Sequence, residues 1–290
     1  MKAQTVLAAS LALAGCGGTM AAAKTPSAAV SSNGYAAVRG IRIYYEIHGT
    51  SGGDVPLVVL PGGGSTIEAT YGRILPFLAE KRQVIAIEEQ NHGRSGHRTV
   101  PERFTDSADD VAAVLAELKL GKVDIVGFSN GGSIAMQVVL RHRGLVRKLV
   151  FAGSMTKKSG VPPQFWEGFS HSTFDDMPQQ LKDAFLEVNP DQAQLHDMYE
   201  KDSERMLNFV ETSDEDVKSV DVPTLILSGD HDVATTEHAV ELSHLIPGAQ
   251  LLILPGTHGE YLGEELQAKP GSRYPEITAL LIEGFLKGQY

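Results

Sequence analysis

The sequence predicts an α/β protein: a mostly parallel central sheet flanked by helices, with a helical layer inserted late in the chain. Three observations carry this. Short apolar runs rich in β-branched residues alternate with helix-patterned stretches through both outer parts. One of these runs, Val123 to Phe128, breaks abruptly into Gly127-Phe128-Ser129-Asn130-Gly131 and continues as a helix-like stretch from Ser133 to Arg141. Between about Thr156 and Asp221 the alternation stops, and Phe165, Trp166, Phe169, Phe174 and Phe185 recur at helix-like intervals among polar residues.

The first residues are read apart from the fold. Met1-Lys2 is a short positive start, Val6 to Ala14 is apolar, and Leu13-Ala14-Gly15-Cys16 closes the run. It is too short to span a bilayer, which takes about 20 residues, and reads as a secretory signal over residues 1–15. Leu-Ala-Gly-Cys resembles the lipobox of bacterial lipoproteins. That resemblance implies lipidation of Cys16, export, and a lipid anchor on the periplasmic side of the envelope. Gly17 in place of aspartate points to the outer membrane. Residues 16–33 are rich in Ala, Ser, Thr and Gly and read as a flexible tether.

The folded part is expected to begin near Gly34. Tyr35 to Val38 and Ile41 to Ile47 flank Arg39-Gly40 as a hairpin. Val55 to Leu60 is fully apolar, as a strand buried on both faces must be, and runs into Pro61-Gly62-Gly63-Gly64-Ser65. A helix-like stretch follows from about Ile67 to Glu80, then a strand from Gln83 to Ile87 and a polar loop from Glu88 to Ser95. Asp106 to Leu118 carries Val111, Val114, Leu115 and Leu118 on one face, with Asp106 as N-cap. Leu149 to Ala152, Thr224 to Leu227 and Leu251 to Leu254 are further strands, and Tyr274 to Leu286 closes the chain as a helix. The sequence thus divides into a core of residues 34–155 and 222–290 and an insertion of residues 156–221.

Composition excludes several functions. The net charge of −11 argues against nucleic acid and against electrostatic docking on anionic lipid. Cys16 is the only cysteine, so no disulfide can form within the chain and a catalytic thiol is not expected. No His-Glu-x-x-His or thiolate cluster is present, and neither metal nor cofactor is expected.

The chemistry centres on Ser129. A sharp strand-to-helix turn with small Gly127 and Gly131 pushes its hydroxyl clear of the backbone. It also leaves the N–H of Asn130 at a helix start, where negative charge is favoured. A serine hydroxyl needs a base, and the base needs an acid to hold its tautomer. In an open parallel sheet the carboxyl ends of the strands share one rim. His258 follows the last strand, and Asp230-His231-Asp232 ends the preceding one. The other histidines, His92 among them, read as surface or structural.

The chain order Ser…Asp…His, with the turn around Ser129, resembles the α/β-hydrolase superfamily over about Gly34 to Leu286. The resemblance implies that Gly229-Asp230-His231-Asp232 puts the acid at Asp232, with Asp230 as runner-up, and that Gly256-Thr257-His258 puts the base at His258. It implies an oxyanion hole from Asn130 and from the loop after the early strand, at Gly63 or Gly64. Proline stands at 61 where the family loop commonly has histidine. The insertion falls where the family places its cap, with Trp166 and then Phe169 as candidate pocket residues. The implied activity is hydrolysis of a small ester-like substrate. Cleavage of carbon–carbon, amide, prolyl-peptide or lactone bonds is the alternative, and a non-catalytic binder the contrasting one.

Overall fold

The computed structural model describes residues 30–290. The signal stretch, Cys16 and the first part of the tether lie outside the described residues. β1 (Val30–Val38) and β2 (Ile41–His48) form the expected hairpin about Arg39-Gly40. β3 (Leu57–Leu60), β4 (Val84–Ile87), β5 (Val123–Phe128), β6 (Val146–Ala152), β7 (Thr224–His231) and β8 (Gln250–Thr257) join them in one sheet. Its order is β1-β2-β4-β3-β5-β6-β7-β8. The pairings of β1 with β2 and β2 with β4 are antiparallel; all the others are parallel.

Neighbouring strand residues feed opposite faces, as the two-residue period requires. Val58, Ile85 and Ile125 pack into one apolar core, and Leu57, Val59, Val84 and Val126 into the other. α3 (Phe104–Glu117), α4 (Asn130–Arg141) and α9 (Thr236–Leu245) cover the first face; α1 (Ile67–Tyr71), α2 (Leu75–Ala79) and α10 (Tyr274–Lys287) cover the second. Between β6 and β7 lie α5 (Pro163–His171), α6 (Gln179–Val188), α7 (Gln192–Leu207) and α8 (Asp214–Lys218). This cap has a small core of its own, in which Leu181, Phe185, Leu195 and Met198 meet Ala69 of α1.

Four details differ from the sequence reading. β1 starts at Val30, inside the stretch read as tether; Ser32 and Asn33 pair with Ile47 and Glu46 through backbone bonds that composition does not report. The helix expected over Ile67 to Glu80 is two short helices, α1 capped by Thr66 and α2 starting at Leu75-Pro76. Asp106 is not the N-cap of α3; Arg103 holds that position in extended conformation, and Asp106 sits in the first turn beside Arg39. α9 carries no strong apolar stripe, and the sequence reading assigned no element there.

Candidate active site

The turn after β5 is held by close backbone contact. A Cβ at Gly127 would lie 2.2 Å from the Gly131 carbonyl oxygen, and one at Gly131 would lie 2.1 Å from that of Leu60. Only glycine lets β5 turn into α4 against β3 here. Ser129 itself takes φ 54° and ψ −122°, a strained conformation for a residue with a side chain. Its N–H donates to the Ala152 carbonyl at 2.9 Å, which ties the turn to the end of β6. α4 begins at Asn130, three residues earlier than expected, so the Asn130 N–H lies in the first turn. Among the described residues neither that N–H nor the Ser129 hydroxyl has a hydrogen-bond partner.

The ends of β7 and β8 bring His258 and Asp232 together. His258 Nδ1 lies 2.5 Å from Asp232 Oδ1. The carboxylate is buried and fully engaged: Val233 N–H donates to Oδ1 at 2.7 Å, and Gly229 N–H and the Tyr261 hydroxyl donate to Oδ2 at 3.1 and 3.3 Å. Burial works to raise the pKa of Asp232, but the His258 ring and these donors hold it below the ordinary carboxylate value. Burial likewise works to lower that of His258, and Asp232, aided by Glu264, holds it above the ordinary value. The His258 ring stacks on Phe128 at 4.6 Å between centroids, next to Ser129. Asp230 is exposed; it accepts from Gly256 N–H at 2.7 Å and pairs with His231 at 2.8 Å. It closes the loop and does not reach His258.

The loop after β3 distinguishes Gly63 from Gly64. Gly64 N–H donates to His92 Nε2 at 3.1 Å, and His92 Nδ1 donates to the Gln90 carbonyl at 2.9 Å. Both bonds together require the neutral ring with its proton on Nδ1. Asp202, Glu89 and Glu102 outweigh burial and pull the His92 pKa up to about 10, toward the charged ring; the Gly64 N–H pointing at Nε2, which only an unprotonated nitrogen can accept, holds the neutral form against that pull. Gly63 N–H has no partner among the described residues. His92 is therefore a buried support of this loop, and its role in ordering the glycines was not legible from the sequence.

Ser129 and His258 open into one cavity of about 240 Å³ under the cap. Phe165 and Phe169 of α5 line it, with Leu181 and Met206. Trp166 does not. Its Nε1 donates to the Lys158 carbonyl at 2.8 Å and its ring packs 5.8 Å from that of Phe209, so the residue expected first in the pocket belongs to the packing behind it. Four residues apart on α5, Phe165 and Phe169 share a face that Trp166 leaves. Two carboxyls also line the cavity, Asp202 from α7 and Glu264. Burial pushes the Glu264 pKa up to about 7 against the pull of His258. Among the described residues, no Lys or Arg lines this cavity. A larger recess of about 790 Å³ between α3, α4 and α7 includes neither Ser129 nor His258. No group of three or more His, Cys, Asp or Glu among the described residues is arranged to hold a metal ion.

The family model for the alpha/beta hydrolase fold matches residues 55–196. The AB hydrolase superfamily protein YisY of Bacillus subtilis (strain 168) is 31% identical over 208 residues, which cover 62% of this chain and 76% of that protein. The chain belongs to the α/β-hydrolase superfamily. The 2-hydroxymuconate semialdehyde hydrolase of Pseudomonas sp. (strain CF600) is 28% identical over 256 residues, 79% of this chain and 88% of that one. The solved structure of an N-acyl homoserine lactone degrading enzyme superposes with a TM-score of 0.69 at 26% identity, covering 87% of this α/β-hydrolase and 100% of that chain. The relatives of this α/β-hydrolase are hydrolytic enzymes, and it is an enzyme of that class.

Proposed function

We propose that the protein is a serine hydrolase that cleaves a carboxylic ester through Ser129, His258 and Asp232. The observation that carries this is the His258–Asp232 couple at 2.5 Å, facing the same cavity into which the strained turn delivers Ser129. The Ser129 hydroxyl attacks the carbonyl carbon and its proton passes to His258 Nε2. Asp232 holds the tautomer with the other proton on Nδ1 and stabilises the ring once charged. The N–H groups of Asn130 and Gly63 receive the oxyanion, since that of Gly64 is already committed to His92. The proton on His258 then goes to the leaving alcohol. Water, deprotonated by the same ring, releases the acid from Ser129.

An uncharged acyl group suits the cavity. A free carboxylate on the substrate would meet Asp202 and Glu264 and no Lys or Arg. This favours a neutral ester or lactone over an acidic ring-fission product. The lipobox-like Leu13 to Cys16 supports a lipid-anchored enzyme on the periplasmic side of the envelope, at the outer membrane. The test is Ser129→Ala, which deletes one oxygen at a turn already formed. It should lower turnover of p-nitrophenyl butyrate by at least on the order of a thousandfold with folding intact. A fluorophosphonate should label Ser129 in the wild type and leave the variant unmarked. Near-wild-type turnover in purified Ser129→Ala would refute the assignment.

A further inference from the structure

We propose that Asp202, carried on the cap helix α7, is a positioning residue that fixes both halves of the oxyanion site; this rests on the serine-hydrolase reading above. Asn130 Nδ2 donates to Asp202 Oδ1 at 3.0 Å. Asn130 is the residue whose backbone N–H faces the oxyanion from α4. The other half comes from the loop after β3. A Cβ built on Gly63 would lie 2.5 Å from Asp202 Oδ2 and 2.3 Å from Asn130 Nδ2, so the Gly63 backbone lies directly against both side chains. Asp202 Oδ2 also lies 3.8 Å from His92 Nε2, the atom that holds Gly64 N–H. Two segments far apart in the chain thus meet on one carboxylate supplied by a third.

That carboxylate is itself held in place. Arg205, one turn along α7, donates to Asp202 Oδ1 and to Glu89, and lies 3.4 Å from Glu102. The Arg205 side chain is 2% exposed and that of Asp202 13%. Glu89 and Glu102 belong to the segment between β4 and α3, so the core grips α7 through Arg205 and α7 grips the oxyanion site through Asp202. An unpaired carboxylate beside a developing oxyanion would oppose catalysis. Arg205 on the same oxygen offsets that charge and leaves the hydrogen bond to Asn130 as what Asp202 contributes. The cap then does more than shape the pocket, since it completes the chemistry beneath it.

The experiment uses the full chain with Asp202→Ala, Asn130→Ala, the double variant and Asp202→Asn. Readouts are kcat and KM for p-nitrophenyl butyrate, affinity for a trifluoromethyl ketone of equal acyl length, and fluorophosphonate labelling. Each Ala variant should lose roughly 10- to 100-fold in kcat, because a slightly misplaced donor serves the transition state and not the ground state. KM should stay within about twofold, and ketone affinity should fall in proportion to kcat. The double variant should be no worse than the poorer single one, since both cut the same link. Asp202→Asn keeps an acceptor for Asn130 and should recover most of the loss. Wild-type kcat in a folded single variant, additive losses, or a loss confined to KM would overturn the proposal. Should Asp202→Ala fail to fold, Asn130→Ala decides alone, because it leaves the ion pairs of Arg205 intact. Failure of the wild type to label at Ser129 would remove the serine-hydrolase reading and this proposal with it. Normal labelling with unchanged kcat overturns only the role of Asp202.

Discussion

Asp232→Asn should damage the enzyme far more than Asp230→Asn, although the two acids are neighbours in one loop. The wild-type carboxylate accepts four bonds, from His258 and Val233 at Oδ1 and from Gly229 and Tyr261 at Oδ2. An amide at this position has only one oxygen. With its nitrogen at the Oδ1 position, it opposes Val233 N–H and donates to His258 Nδ1, which forces the ring into the tautomer that cannot accept the serine proton. With its nitrogen at the Oδ2 position, it opposes Gly229 N–H and leaves His258 without a charged partner. Either way a buried N–H loses its acceptor and the imidazolium loses its counter-charge. The loss expected in kcat/KM is on the order of 10³–10⁴, or about 4–5.5 kcal/mol of transition-state stabilisation. Asp230 accepts from Gly256 N–H on an exposed loop, which an amide oxygen can replace, so its loss should stay within about threefold. The assay is kcat/KM for p-nitrophenyl butyrate, with circular dichroism confirming the fold of both variants. Activity of Asp232→Asn within about tenfold of wild type, or a larger loss in Asp230→Asn, would refute the reasoning.

The acid limb of the pH–kcat/KM profile should lie above the ordinary histidine value, because the base must be neutral and Asp232 and Glu264 raise its pKa against burial. Glu264→Gln removes one of these carboxyls, so the limb should move to lower pH; an unmoved limb, or one moved upward, would contradict the coupling. Phe169→Ala should reorder kcat/KM between short and long acyl chains, because its ring lines the cavity. Trp166→Ala should lower Tm and leave that order unchanged, because its ring packs on Phe209, and the reverse outcome would exchange the two roles. Cys16→Ser should release the protein from membranes or leave it unprocessed, read by fractionation and N-terminal analysis. A soluble wild-type protein with an unmodified N-terminus would exclude the anchor.

The parts legible in the sequence are those whose physics is local. A strand buried on both faces must be an apolar run, and Leu57–Leu60 and Val84–Ile87 read that way without a break; Val123–Phe128 is interrupted only by Asp124, which Arg82 and Arg147 neutralise. The Ser129 turn is legible because steric crowding demands glycine at fixed spacing on both sides. The parts that were not legible depend on partners distant in sequence. Asn130 and Asp202 are 72 positions apart, and Arg205 and Glu89 116. Nothing around Asp202 distinguishes it from the other charged residues of a polar, solvated-looking helix. His92 carries no local mark of burial, yet its side chain is buried in the fold. Trp166 shows the same limit on a smaller scale: helical spacing gives a shared face only once the phase of the helix is known.

Under the proposed reaction two carboxyls, Asp202 and Glu264, line the cavity beside developing negative charge, and the fold neutralises them differently. Asp202 stays ionised, because Arg205 and its surroundings keep its pKa well below the ordinary value despite burial. Its charge is matched by a cation that the cavity never exposes. Among the described residues Glu264 faces no cation but the protonated His258 ring, so burial raises its pKa to about 7 and near neutrality it is shared between its two states. The first arrangement makes a rigid hydrogen-bond acceptor with little field of its own. The second makes a field that strengthens as His258 becomes charged, which is when a nearby carboxylate stabilises the transition state most. Glu264, with no Lys or Arg on the cavity wall to offset it, is the carboxyl that would disfavour an anionic acyl group, so under the proposed reaction substrate preference and support of the charged ring meet in one side chain.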